Sequence, residues 1–187
     1  MPLIVDHDAR RDELSAVVAQ LIATRGLEAV TVRATADAAG YSTRVVSHYF
    51  SGKRELLLYC YRYISERSTR RLVAEMQKPG GNLETALFSL LPFHEEARQE
   101  WLVWVAFWGV AIADPEFSEI QRQQFSESQE VILSLVSAEH EDPDDHQYLA
   151  KEILAALMGM AVQAAFNPRE WPRRRQETFI HRLLDRR

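Results

Sequence analysis

Thr43, Arg44, Ser47, His48 and Tyr49 crowd hydrogen-bonding groups onto one short segment that follows Gly40 and Ser42. A guanidinium donates two parallel hydrogen bonds to the edge of a guanine, and hydroxyls and imidazoles bond base edges or phosphate oxygens. Such side chains read a duplex only when a helix holds them outward. The residues on either side supply that frame. Val32 to Ala39 is alanine-rich (Ala34, Ala36, Ala38, Ala39), so a second helix can approach it closely. Gly40 tolerates the left-handed conformation that stops a helix. Ser42 offers a hydroxyl to cap the next helix, Thr43 to Tyr49. Helix, glycine-containing turn and second helix form the motif that lays side chains in the major groove. A plain helical hairpin of a protein core shares the same short pattern, so the pattern alone leaves both readings open.

Stepping outward, hydrophobic spacing predicts a first helix from about Asp8 to Arg25, with Leu14, Val17, Val18, Leu21 and Ile22 on one face and Gly26 at its end. Leu27, Val30, Val32, Val46 and Phe50 complete the small core of a three-helix domain. Ser51-Gly52 breaks the second helix of the motif, and Lys53 opens a long fourth helix to about Met76. Pro79-Gly80-Gly81-Asn82 is the clearest break in the chain. Beyond it, helices are expected at Leu83–Leu91, stopped by Pro92, and at Phe93–Ala113. Another is expected from Asp114-Pro115 to about Glu139, with Asp114 as cap and Pro115 in its first turn. The last two are expected at Asp145–Phe166 and from Trp171-Pro172 onward. The acidic stretch from Glu139 to Asp145 reads as a solvated loop. No strand-like alternation of any length occurs. The fold class is therefore all-α: a helix-turn-helix domain over residues 1–55, then a larger helical domain over 56–187.

The chain has 187 residues, 47% hydrophobic and 26% charged, an ordinary globular balance. A single cysteine, Cys60, excludes an internal disulfide framework and suits a reducing cytoplasm. Its neighbours Leu57, Tyr61 and Ile64 place it as a small buried hydrophobe. No apolar run is long enough for a membrane span, and no signal core is visible at the start. The net charge of -5 lies wholly in residues 56–187, because residues 1–55 hold seven basic and seven acidic side chains. What matters for phosphate binding is the local face, so Arg33, Arg44, Lys53 and Arg54 are expected to share one face while Glu28 and Asp37 point elsewhere. A neutral domain of this kind needs a second copy to double its contacts.

Gly40-Tyr41-Ser42-Thr43-Arg44-Val45-Val46-Ser47-His48-Tyr49-Phe50, followed by Lys53 and Leu56-Leu57, resembles the signature of TetR-family transcriptional regulators. The form Val45 to Phe50 is closest to the BetI-like branch. Three positions depart from the common pattern: Tyr41 stands where a small aliphatic is usual, Thr35 where an isoleucine packs, and Ser47 where many relatives have tyrosine. The resemblance implies a homodimer that binds a palindromic operator in double-stranded DNA and acts as a ligand-responsive repressor. It places Thr43, Arg44, Ser47 and His48 toward base edges, and Thr31, Arg33, Tyr49 and Lys53 against phosphates. It gives the fourth helix the role of a lever between DNA and ligand.

Two features of the second half acquire meaning from that resemblance. Ile153, Leu157, Met160, Ala161 and Ala164 form an apolar stripe, and Phe179, Ile180, Leu183 and Leu184 form another on the last helix. Alone, such stripes suit an intramolecular core; with the resemblance, Ile153 to Leu183 are expected at a two-fold dimer interface. Trp101, Trp104, Phe107 and Trp108 crowd one helix, with Phe88, Phe93 and Met158 in neighbouring segments. They suit a dense aromatic core or, with the resemblance, the pocket of a small-molecule inducer, apolar or cationic. Ring faces attract cations, and Glu95 or Glu100 is the expected counter-charge. An enzyme is disfavoured: no metal-ligand spacing, phosphate loop or nucleophile elbow is present, so no catalytic residue, metal or cofactor is assigned. The alternative is a helical small-molecule-binding or interaction protein without DNA binding.

Overall fold

The computed structural model describes residues 7–139 and 145–185, so the expected acidic loop lies almost wholly outside the described residues. The described chain is helical throughout, in the order α1 (His7–Arg25), a 3-10 turn (Leu27–Ala29), α2 (Val32–Ala39), α3 (Thr43–Tyr49), α4 (Lys53–Met76), α5 (Leu83–Phe88), α6 (Glu95–Ala111), α7 (Pro115–Glu139), α8 (His146–Phe166) and α9 (Arg173–Leu184). No strand occurs among the described residues.

Local capping chemistry explains the sharp bounds of the first helices. The Thr31 hydroxyl accepts the Ala34 N–H at 3.0 Å and opens α2. Gly40, at φ 71°, closes it in the left-handed region, and Tyr41 N donates to Ala36 O at 2.9 Å. Ser42 accepts from Val45 N and opens α3. Asp114 Oδ1 accepts the N–H groups of Glu116 and Phe117 at 3.0 and 3.2 Å, starting α7 as expected. α5 is shorter than its apolar pattern suggests. After Phe88 the backbone tightens into i→i−3 bonds, Leu90 N to Leu87 O and Leu91 N to Phe88 O, and Pro92 then bars a return to α geometry.

Two cores organise the molecule. The first joins α1–α4 through Leu14, Val18, Ile22, Val30, Val46, Phe50, Leu56 and Cys60, and continues into Val103, Phe107 and Phe117 of α6 and α7. It therefore crosses the boundary expected at residue 55. The second gathers α5, α7, α8 and α9 around Leu83, Leu87, Leu91, Ile153, Leu157 and Ile180. α6 packs against α1, α4, α7 and α8, which is why it is apolar nearly all round. Cys60 is fully buried, its Sγ 3.5 Å from Ser15 O, and burial pushes the thiol up, out of the reactive thiolate range.

Among the described residues, α8 alone is long and apolar enough to cross a membrane by length and composition. Here α8 serves as a body helix, with Ile153, Leu157, Met160, Ala161 and Ala164 buried and Lys151, Glu152 and Gln163 exposed.

A buried ion network pins α4 to α6. Glu100 is 1% exposed and accepts from Arg67 at 3.1 Å and from Arg71 at 2.6 Å. A carboxylate out of water is tolerated only with such partners.

Candidate DNA interface and ligand cleft

α3 keeps one residue, Val46, fully inside and turns Thr43, Arg44, Ser47 and His48 to solvent. The buried valine anchors the helix, and the polar residues on the rest of its surface stay free for a partner. Tyr49 is half-buried and packs against the first core. Tyr41, the unusual residue in the turn, explains itself by reaching back to α1. Its hydroxyl donates to Glu13 Oε1 at 2.8 Å, and the Arg10 guanidinium lies 4.7 Å above its ring. Thr35 packs fully buried in α2, where its hydroxyl has no partner. Arg11 lies 4.3 Å over the Tyr59 ring and pairs with Glu55, which itself accepts Ser51 N at 2.8 Å. These contacts hold the motif to α1 and α4 as one unit.

The expected cationic face is partly corrected. Glu28 does not point away: it pairs with Lys53 at 2.9 Å. Asp37 sits 3.9 Å from Arg33 on the next turn of α2. Arg54 leaves this face altogether. It forms a two-point bond to Asp114, at 2.7 and 3.0 Å, and pairs also with Glu116, while lying 4.8 Å over the Phe117 ring. It ties the first turn of α4 to the start of α7. That contact pulls the Asp114 carboxyl down to about 2. Thr31 is a cap, yet a hydroxyl that accepts the Ala34 N–H retains its own proton for a phosphate oxygen.

A cleft of about 920 Å³ opens between α4, α6, α7 and α8. Of the aromatic set read from the sequence, Trp101, Trp104, Trp108 and Met158 line it. Phe107 does not: it is 1% exposed, 4.2 Å from the Tyr61 ring and 4.8 Å from Phe117, inside the first core. Phe88 and Phe93 pack against the second core instead. At 100° per residue, positions 101, 104 and 108 fall within about 60° of one another, and 107 lies about 120° from 101 but only about 60° from 104. Helical angle therefore does not exclude Phe107 from the cleft; its packing on Tyr61 and Phe117 does.

Most of the rest of the lining comes from α4 and α7, including Tyr61, Ser65, Glu66, Gln121, Phe125 and Glu127, with Leu90, Leu154 and Leu157 beside them. The Tyr61 hydroxyl bonds Gln121, and burial pushes it well above the usual phenol range. Trp104 Nε1 donates to Ser65 Oγ at 3.3 Å. Glu127 accepts from the side-chain amides of Gln123 and Gln124 at 2.8 and 2.7 Å. Neither carboxylate expected as a counter-charge serves. Glu100 is spent on Arg67 and Arg71, and Glu95 is exposed at the start of α6 and absent from the lining. The carboxylates at the cleft are Glu66, Glu127 and Glu130.

The stripe expected at a dimer surface is also corrected. Ile153, Leu157, Met160, Ala161, Ala164 and Ile180 are at most 2% exposed within one protomer, and Phe179 and Leu183 pack against the same core. Side chains already out of water gain nothing further from a partner. The outward face of α8 carries Tyr148, Ala155, Gly159 and Phe166, the two aromatics 65% and 63% exposed.

Comparison with known proteins agrees with this architecture. Residues 16–60 match the model of bacterial regulatory proteins of the tetR family, and residues 79–187 match that of the BetI-type transcriptional repressor C-terminal region. The HTH-type transcriptional regulator PksA of Bacillus subtilis is 27% identical over 173 residues, covering 90% of this chain and 84% of that one. The regulator BetI of Vibrio atlanticus is 23% identical, covering 100% of this chain and 95% of its own. Among solved structures, a transcriptional regulator from Rhodococcus superposes with a TM-score of 0.81 at 26% identity, over 94% of both chains. A regulator from Saccharomonospora viridis, solved in complex with choline, superposes with a TM-score of 0.77 at 20% identity, over 95% of this chain and 96% of that one. With a helix-turn-helix at one end and a BetI-type body over more than half its length, the chain belongs to the TetR family of DNA-binding transcriptional regulators.

Proposed function

We propose that this regulator binds a palindromic operator as a homodimer and releases it when a small organic cation enters the cleft. The observation that carries the DNA assignment is α3 itself: Val46 is buried while Thr43, Arg44, Ser47 and His48 are presented to solvent. Thr43 and Arg44, at its start, read base edges with Ser47 and His48. Thr31, Arg33, Tyr49 and Lys53 hold phosphates and set the register. Two copies of α3 meet successive major grooves when they stand about 34–36 Å apart, or a multiple of that. The outward face of α8, with Tyr148 and Phe166 flanking Ala155 and Gly159, is the surface for the second copy. Gel shift of genomic fragments tests the reading, and a protein that retards no fragment would refute it.

The ligand class follows from the cleft. Trp104, Trp108 and Phe125 offer ring surface, and Glu66, Glu127 and Glu130 stand with only Arg62 and Arg70 of opposite sign in the lining. Ring faces and unneutralised carboxylates together favour a cation whose hydration shell is weak, such as a quaternary ammonium. The choline complex of the Saccharomonospora regulator supports the same class. α7 contributes both the cleft wall and, through Asp114 and Glu116, the anchor of Arg54. Ligand and DNA then oppose each other, each favouring a different setting of α4. Titration of choline against tryptophan fluorescence tests this; no change at millimolar concentration discards the cation.

A further inference from the structure

We infer that His7, at the start of α1, is a DNA-contacting residue that with His48 makes operator binding proton-linked. The inference rests on the DNA face proposed above. The His7 ring lies 4.6 Å from the Tyr49 ring and 6.1 Å from His48, and His48 lies 5.0 Å from Tyr49. Three rings thus run from the recognition helix onto a different helix, and both imidazoles are exposed. Packing on Tyr49 holds the His7 ring beside α3 rather than letting it sweep through solvent. A duplex seated on α3 meets His7 along the same edge.

The neighbouring charges leave that edge positive. On α1, Arg10 is shared among Glu13, Tyr41 and Tyr49, so its guanidinium stands at the same edge as the imidazoles, and Arg11 is occupied by Glu55. Asp8 and Asp12 bear on Tyr59 of α4, Asp12 accepting its hydroxyl at 3.0 Å. On α3, Arg44 adds positive charge at the opposite end, and Tyr49 supplies a neutral hydroxyl. A phosphate against the pair favours the charged form of each ring. Each ring gains from carrying its second proton, which also provides a second N–H donor. Binding therefore takes up protons, and affinity rises as pH falls through the histidine range.

The test uses the full chain and a labelled 30-base-pair duplex selected from a random pool by the wild-type protein. Dissociation constants are measured at pH 5.5, 6.5 and 7.5 at constant ionic strength for wild type, His7→Gln, His7→Phe, His48→Gln and the double glutamine variant. Wild type tightens about fivefold or more between pH 7.5 and 5.5. His7→Gln loses roughly 3- to 10-fold at pH 5.5, changes little at pH 7.5 and flattens the slope. His7→Phe keeps the ring on Tyr49 and the wild-type melting temperature, yet loses the same slope. The double variant binds independently of pH over this range. Wild-type affinity and slope in both His7 variants would overturn the inference. Undiminished binding of the same duplex by Arg44→Ala would instead refute the DNA face on which it rests.

Discussion

Replacing Arg44 by alanine tests the recognition helix at an exposed position. The side chain projects from the first turn of α3 into solvent, away from Val46 and the core, so its removal leaves no cavity. Stability should stay within about 0.5 kcal/mol of wild type, the usual range for a surface change. DNA affinity should not. A bidentate arginine–guanine contact discriminates by about 1–3 kcal/mol, and a dimer on a palindrome makes it twice, so the loss totals about 2–6 kcal/mol. At 1.4 kcal/mol per decade this is about 30- to 10⁴-fold in dissociation constant. The assay is fluorescence anisotropy with the selected duplex and with a scrambled duplex of equal length, at one salt concentration. The loss should fall on the selected sequence and leave the scrambled one within a few-fold. Equal losses on both duplexes would make Arg44 a phosphate contact and refute the base-edge argument; no loss on either would refute the placement of α3.

Glu28→Gln should tighten binding to all sequences, by up to about 25-fold if each of the dimer's two Lys53 pairs is worth about 1 kcal/mol, because Lys53 must otherwise exchange Glu28 for a phosphate. A salt titration checks it: Lys53→Ala should lower the slope of log K against log salt by about 1 per phosphate contact, with Glu28→Gln moving affinity the other way. Glu100→Gln should destabilise the fold by about 3–5 kcal/mol in urea, since it strands Arg67 and Arg71 beside a neutral amide; a loss below about 1 kcal/mol would deny the network its role. The Asp114 carboxyl is held near 2 in the folded protein, below its ordinary value. A depressed folded value means the contribution of the Arg54 pair is present above about pH 4 and is lost as pH falls toward 2. The difference in melting temperature between wild type and Arg54→Gln should therefore be full at pH 7 and shrink between pH 4 and 2.

Several helix bounds were legible because caps are local. Gly40, Ser42 and Asp114 each act on backbone groups within four residues, so their chemistry survives without knowledge of the rest of the fold. α5 escaped the same treatment because its apolar run continues through a 3-10 tail that only the backbone bonds reveal. In the cleft, Trp101, Trp104 and Trp108 stood out in the sequence as large rings crowded on one helix, but Tyr61, Gln121 and Glu127 carried no mark there. They come from helices that are polar on several sides. Which side closes a cleft depends on how α4 and α7 lean against α6.

The amino-acid sequence by itself determined the all-α class, the turn at Gly40 and an outward-facing α3, since each follows from side chains acting on their own stretch of backbone. Only the tertiary structure decided which of two apolar faces of α8 stays wet, that Arg54 bonds the body and not a phosphate, and that Glu28 answers Lys53. Those outcomes join residues tens of positions apart. Charge and hydrophobicity state what a side chain needs, and the packing of distant helices settles which partner is near enough to provide it.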